Sequence, residues 1–276
     1  MVLKPDHETI LLLENVSLGY GERTILADLN VRVRQGEVVA LIGGSGSGKT
    51  TLLRGATGQI RPQKGKISLY GQDVSLVTSQ QLQQLRQRMG VLFQQGALFT
   101  DLDVFDNVAF PLRELTNNTE KVIFEKVLDK LDAVGLRSAA HLKLSEVSGG
   151  MARRVALART IVLEPDLILY DEPFAGLDPI SLGMTAQLIR DTANRLKCGA
   201  LLITHDIEES FKIVDYVYML GQGKIIMEGT PNDFRHSDNP YVQQFLQASP
   251  TGPVVFEYPE TSNFQQWYAK RKEQLK

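Results

Sequence analysis

The chain has 276 residues, 43% of them hydrophobic, so it accommodates one large domain, or a domain plus a smaller lobe, with a sizeable core. A formal net charge of −2 gives no support to nucleic acid as a bulk partner. One cysteine, Cys198, excludes an internal disulfide and fits a reducing compartment.

The opening MVLKPDHETI lacks the apolar segment of a secretory signal. No uncharged apolar run reaches the ~18 residues that a membrane-spanning helix needs. The expectation is a soluble chain that meets a membrane only through a partner. ILLLENVSLGY and LADLNVRVRQGEVVALIG then read as short strands, Tyr20 ending the first. Asn30 to Val33 alternates, as a half-exposed strand does, whereas Val38 to Ile42 is continuously apolar, as a buried one is.

Directly after that run comes GGSGSGKT, where Gly43, Gly48, Lys49 and Thr50 satisfy G-x-x-x-x-G-K-S/T, the phosphate-binding loop. Gly43, Gly44, Gly46 and Gly48 allow close backbone approach, so successive N–H groups can curl around an anion. Leu52 and Leu53 suggest a helix starting near Gly48, its positive end at the same phosphates. Lys49 supplies a point charge for the β/γ-phosphates, and the Thr50 hydroxyl is a ligand for Mg²⁺. Ser45, Ser47 and Thr51 complete the nucleotide-contacting run.

TLLRGATGQI reads as a helix closing near Gly58, and Lys66 to Tyr70 as a strand between turns. After a polar helical stretch at 79–88, a short apolar run leads to Gln94, placed to ligate Mg²⁺ at the edge of a helical lobe. Between about Asp101 and Thr160 apolar residues recur at helical spacing. VSGGMARRVALAR sets Ser148, Gly149 and Gly150, followed by Met151, before a strongly helical segment, a second anion site at a helix N-terminus. In LILYDE, a buried strand ends in Asp171, suited to a Mg²⁺-bound water, and Glu172, suited to act as general base. His205 ends another apolar run and is placed to reach the γ-phosphate and the attacking water. Cys198, just before that run, reads as a buried structural thiol. Two phosphate-binding devices but a single phosphate loop imply a head-to-tail dimer, each nucleotide lying between one copy's loop and the other's Ser-Gly-Gly.

The tail divides into a proline-containing linker, TGPVVFEYPE, and SNFQQWYAKRKEQLK. The latter groups Phe264, Trp267, Tyr268 and Leu275 near one helical face and carries a basic end of Lys270, Arg271, Lys272 and Lys276. That aromatic face is expected to dock on a neighbouring subunit.

The order Tyr20, GGSGSGKT, Gln94, VSGGM, LILYDE, AGLD, His205, over about residues 10–235, resembles the nucleotide-binding subunit of an ABC transporter. The resemblance implies an α/β fold: a P-loop (RecA-like) core with an N-terminal antiparallel β subdomain and an inserted α-helical subdomain at about 95–163. The ATPase domain would cover 1–248 and an extension 249–276. It also implies an ATPase in which two copies sandwich two ATP molecules, with Mg²⁺, and drive a separate membrane permease. By that match Tyr20 stacks on adenine, and Gly43 to Thr50 hold phosphate. Thr50, Gln94 and Asp171 serve the metal, and Glu172 and His205 the chemistry. Ser148 to Met151 and the Asp178 of AGLD would act in trans. The motif usually ends in Gln where Met151 stands; the groups that touch phosphate survive.

SGGMARR, FQQGALFTDLDVFDNVAFPLRE and DEPFAGLDPI look like the ATPase of the Mla-type phospholipid transporters of Gram-negative bacteria. The partners this implies are a permease, a periplasmic MCE subunit and a small STAS-domain protein, at the cytoplasmic side of the inner membrane. The lipopolysaccharide-export ATPase shares DEPFAGxDP but usually carries charged residues after its Ser-Gly-Gly. Soluble translation or repair ATPases of this type carry a second cassette or a long coiled-coil insertion. Only about a hundred residues separate Lys49 from Ser148 here.

Overall fold

A computed structural model describes residues 8–254 and 260–275. Segment 1–7, part of the expected linker and Lys276 of the expected basic end lie outside them. Strands β1 (Thr9–Tyr20) and β2 (Arg23–Arg34) form an antiparallel pair joined by Gly21 and Glu22. The alternation expected in β2 is present: Leu29, Val31 and Val33 are buried, Asn30 and Arg32 exposed. Next come β3 (Val38–Ile42), α1 (Lys49–Ala56), β4 (Lys64–Leu69), β5 (Gln72–Asp73), α2 (Ser79–Gln87) and β6 (Met89–Leu92). The helical segment α3 (Val104–Leu115), α4 (Glu120–Ala133) and α5 (Gly149–Ile161) follows. The α/β pattern then resumes with β7 (Leu167–Asp171), α6 (Pro179–Leu196), β8 (Gly199–Thr204), α7 (Ile207–Ile213), β9 (Tyr216–Gly221), β10 (Lys224–Gly229) and α8 (Pro231–Arg235).

Two sheets result. One is antiparallel, in the order β2-β1-β4-β5; the other is mixed, in the order β10-β9-β3-β8-β7-β6. In the second, β9, β3, β8, β7 and β6 run parallel and β10 pairs antiparallel at the edge. Helical crossovers cover such a sheet, which is why every residue of β3 and β8 is buried and their sequences are unbroken apolar runs. Leu11, Leu13, Leu18 and Val31 of the first sheet share one apolar cluster with Val39, Leu41, Leu169, Leu201 and Ile203 of the second.

The insertion lies between β6 and β7, where α3, α4 and α5 pack together. Its start is latched by Asn107, fully buried, whose side chain accepts from Phe99 N (2.9 Å) and donates to the carbonyls of Phe99, Leu102 and Asp103. The topology delivers four segments to the carboxyl edge of the parallel strands: the glycine loop after β3, Gln94 after β6, Asp171 and Glu172 at β7, and His205 after β8. That edge is where open α/β sheets bind ligands.

Packing divides the chain into two units between Phe234 and Arg235, at the end of α8 and ahead of the expected boundary at 248. The second unit contains α9 (Pro240–Leu246) and α10 (Ser262–Gln274). Within it the Gln244 side chain accepts from Val254 N (2.7 Å) and donates to Val254 O (3.0 Å).

Candidate functional site

The glycine loop is held by backbone packing. A Cβ at Gly43 would stand 2.4 Å from the Leu220 carbonyl oxygen. At Gly48, φ is +105°, and a Cβ would meet Leu26 Cδ2 at 2.5 Å. Gly48 is the N-cap of α1 and provides no side-chain cap. The first-turn amides of α1 thus keep the partial positive charge of an uncapped helix start, an anion-binding device. Lys49 Nζ folds back on the loop, donating to the carbonyls of Gly43 (2.7 Å) and Gly44 (3.1 Å). Burial pulls its pKa below the ordinary lysine value, against the opposing pull of Glu172 and Asp171. Ser47 Oγ is buried without a hydrogen-bond partner, whereas Ser45 and Thr50 are exposed.

Strand β7 brings two carboxylates to this loop. Asp171 is half-buried, and its pKa is raised by burial and by Glu172, with Lys49 opposing. Glu172 adopts a left-handed backbone, φ +49°, with its N–H donating to Ile203 O at 2.8 Å. A non-glycine residue in that region stores strain of the kind that collects at functional sites. Its side chain is shared: Oε1 faces Lys49 Nζ at 3.8 Å, and Oε2 lies 2.8 Å from His205 Nδ1 and accepts from His205 N at 3.3 Å. One carboxylate therefore links the ends of β7 and β8 to the loop after β3.

The other expected residues are more dispersed. Tyr20, half exposed at the end of β1, accepts from Arg54 Nη1 at 3.0 Å, which ties its ring to α1. Gln94 is exposed; its backbone carbonyl is bound by Arg153, and no side-chain bond joins it to Thr50 or Asp171. Ser148 is the N-cap of α5, its Oγ accepting from Met151 N at 3.2 Å. Asp178 caps α6, accepting from Ile180 N (3.0 Å) and Ser181 N (3.1 Å), bonds that with the Ser181 hydroxyl hold its carboxyl below the usual range. A shallow cleft lined by Gly149, Gly150, Ala175, Gly176, Asp178 and Ser181 sets the Asp178 cap beside the start of α5, and a second depression that shares Gly150 and Ser181 with it is lined by Ser148. Among the described residues no hydrogen bond or ion pair joins Ser148 to Met151 with the glycine loop.

The ABC transporter profile matches residues 26–175, more than half the chain. This chain belongs to the ABC transporter family. Among its relatives are the intermembrane phospholipid transport system ATP-binding proteins MlaF of Haemophilus influenzae and Escherichia coli. The first is 47% identical over 253 residues, 92% of this chain and 96% of the relative. The second is 45% identical over 247 residues, 90% and 92% of the two chains. The fold superimposes on the ATP-binding cassette MJ0796 in a dimeric post-hydrolysis state bound to ADP and Pi, with TM-score 0.72 and 26% identity over 80% of this chain and 99% of that one.

An ABC ATPase binds and hydrolyses ATP, and the pocket of this one suits the nucleotide's charge. An uncapped helix start, an ammonium whose hydrogen bonds go to loop carbonyls and an orphaned Ser47 hydroxyl all suit an anionic oxygen-rich ligand. A hydroxyl at Thr50 and a carboxylate at Asp171, with phosphate oxygens and water, form the hard donor set that Mg²⁺ takes. Two residues of the cassette, Arg153 and Arg159 on α5, were not evident from the sequence. Arg153 donates to Gln94 O, Pro173 O and Ala175 O; Arg159 donates to Gly96 O and Ala97 O. Their only signal was charge recurring on a helix otherwise rich in buried Val, Ala and Leu, a pattern also made by a solvated face.

Proposed function

We propose that this chain is the ATP-hydrolysing subunit of an ABC transporter that powers phospholipid transport between inner and outer membranes, maintaining outer-membrane lipid asymmetry. The hydrolytic half rests on one observation, the placement of Glu172 between Lys49 and His205. Both carboxylate oxygens are engaged, Oε1 toward the ammonium and Oε2 toward the imidazole. A triphosphate seated in the glycine loop competes for Lys49. As the ammonium turns to the phosphates, Oε1 loses its cation and becomes a free acceptor for a proton from water. His205 retains Oε2 and keeps the carboxylate oriented, which leaves its other ring nitrogen to serve the γ-phosphate. Thr50, Asp171 and Gln94 would hold Mg²⁺, which would supply positive charge against the β/γ-phosphate oxygens. Tyr20, pinned by Arg54, stacks on the base. Ser148 to Met151 and Asp178 serve the nucleotide of a second copy.

The lipid half rests on the two MlaF relatives, each matched over at least nine-tenths of its length. The assembly is then a homodimer on the cytoplasmic face of the inner membrane, bound to an integral permease, with an MCE subunit on the periplasmic side and a STAS-domain protein. No described helix is long and apolar enough to cross a membrane, so the permease supplies the attachment. In α10, Phe264, Trp267 and Tyr268 are exposed while their rings lie 5.8 and 5.9 Å apart, a face suited to docking on a neighbouring subunit.

The decisive experiment is purification of the tagged chain from detergent-solubilised membranes, with mass spectrometry of co-purifying subunits and lipids and reconstitution into vesicles. A permease with bound phospholipid, and ATP-dependent lipid movement, are expected. Lipopolysaccharide in place of phospholipid would overturn the cargo; absence of any membrane subunit would overturn the transporter.

A further inference from the structure

Helix α5 carries two half-buried cations, Arg153 and Arg159. Among the described residues neither Arg153 nor Arg159 forms an ion pair. Burial pulls both guanidinium groups below their ordinary pKa, so each holds its charge against a desolvation cost. What compensates them is a set of carbonyl dipoles on segments far apart in sequence. Arg153 Nη1 donates to Pro173 O (2.7 Å) and Ala175 O (2.8 Å), 20 and 22 residues downstream. Its Nη2 donates to Gln94 O (2.8 Å), 59 residues upstream. Arg159 takes the far side of the same loop, Gly96 O at 2.7 Å and Ala97 O at 2.9 Å, with its Cζ 5.7 Å from the Phe99 ring centre.

The geometry of Arg153 is specific. A planar fork reaches the two loops through separate nitrogens, Nη1 and Nη2, a spread that the single nitrogen of an ammonium does not reproduce. Pro173 follows Glu172 directly, so one end of the fork holds the backbone next to the proposed base. Gln94, the proposed Mg²⁺ ligand, begins the loop held by the other end of the fork. The fork itself sits five residues into the helix that starts from Ser148. Three segments with separate proposed duties are thereby joined through one side chain.

We propose that Arg153 is a positioning residue: its guanidinium makes loop 94–99, the turn after Glu172 and the N-terminal end of α5 move as one body. A push on the loop then realigns the base and the Ser-Gly-Gly end together. Arg159 anchors the loop's distal half, so that the push is transmitted rather than absorbed. This inference rests on the site assignment above.

The test compares R153K and R153Q with E172Q and wild type in the intact transporter. Lysine keeps the charge and can satisfy Pro173 and Ala175, yet it loses the span to Gln94. The expected result for R153K is an unchanged melting temperature, a KM for ATP within about twofold of wild type and a kcat lower by about tenfold. Hydrogen exchange at amides 95–99 accelerates at the same time. R153Q shows the same loss together with faster exchange at 174–177. A role confined to stability predicts the opposite, a lowered melting temperature with kcat per folded molecule unchanged and rescue by lysine, and that outcome overturns the proposal. So does wild-type exchange at 95–99 in R153K. The exchange measurement needs no turnover. Persistent hydrolysis by E172Q therefore counts against Glu172 as the base, whereas unchanged exchange in R153K counts against the clasp.

Discussion

Glu172→Gln removes a charge while keeping the shape, and the contacts around the side chain determine the outcome. Oε2 is committed to two contacts from His205, so the amide keeps its oxygen there and turns its NH2 toward Lys49, whose ammonium lay 3.8 Å from Oε1. At an effective dielectric of about 20, the attraction forfeited over that distance is about 4 kcal/mol before the relief of desolvation is subtracted. Both side chains are largely enclosed, 11% and 14% exposed, so solvent screens little of it. Lys49 then lacks one of the two anions that hold up its pKa, and a bound triphosphate becomes its main counter-charge. Two consequences are expected together. Turnover, measured as phosphate release at saturating ATP, falls by about 10²–10⁴, the usual contribution of a general base. Thermal stabilisation by ATP grows relative to wild type, because ATP restores charge balance that the protein no longer provides. A variant retaining turnover within about threefold of wild type would refute the reasoning, since losing a base cannot be so mild.

Three further outcomes test the packing around the site. Tyr170 is fully buried in β7 with an unpartnered hydroxyl, so Tyr170→Phe should raise stability by about 1 kcal/mol in urea denaturation; a loss of that size would mean that the hydroxyl is satisfied. Buried Lys130 donates to Glu164 (2.7 Å) and Asp129 (3.0 Å), and Glu164→Ala should cost about 1 kcal/mol near neutral pH. Burial lowers the Lys130 pKa, but the two carboxylates raise it net, so its share is complete below the unfolded value of about 10.4 and fades as pH rises through the folded one. Glu164, held low by its bond from Lys130, shows the mirror image: its share is complete above about 4.3 and fades as pH falls through the folded value. A wild-type-minus-variant difference that is flat across both limits would refute the pair. Burial pushes the Cys198 thiol up to about 11, so alkylation at pH 8 should run about two orders of magnitude slower than for a free thiol until the protein is unfolded.

The parts of the site visible in the sequence are those whose chemistry forces a local spelling. A strand buried on both faces must be an unbroken apolar run, so β3, β7 and β8 announced themselves, and the glycine after β3 and the polar residues ending β7 and β8 marked the ligand edge of the sheet. The glycine loop was readable because the backbone approaches Leu220 and Leu26 too closely for a side chain. Contacts made to carbonyls leave no such trace, since any residue can supply one. Arg153 is satisfied by Gln94, Pro173 and Ala175 through their backbones, and nothing in those three identities points to an arginine elsewhere. The left-handed backbone of Glu172 was equally hidden, because strain there is imposed by the bond to Ile203 and not by a permissive residue. The division after Phe234 also carried no compositional mark, whereas the proline-containing stretch near 250–259 did and drew the expected boundary toward it.

The two helix starts proposed to bind anions differ in a way that bears on why the chain would need a second copy. Helix α1 begins with a glycine and has no side-chain cap. Helix α5 begins with Ser148, whose Oγ accepts from Met151 N. A hydroxyl that accepts a cap bond still has its own hydrogen to donate, so Ser148 can cap α5 and bind a phosphate oxygen at once. The cap uses only the backbone of Met151, which explains how this position tolerates a thioether where the motif usually has an amide. Asp178 is built otherwise: its carboxylate is occupied by Ile180 and Ser181, so it meets anything beyond the cleft as a fixed, oriented anion. Asp178 and Ser148 line two depressions that share Gly150, Leu177 and Ser181, and among the described residues no hydrogen bond leads from Ser148 to the glycine loop. The Ser148 hydroxyl, which has a hydrogen to donate, and the fixed Asp178 carboxylate are proposed to form half of a site. In the proposed homodimer the other half would be the uncapped loop of an identical chain, and a two-fold axis would complete both nucleotide sites in a single step.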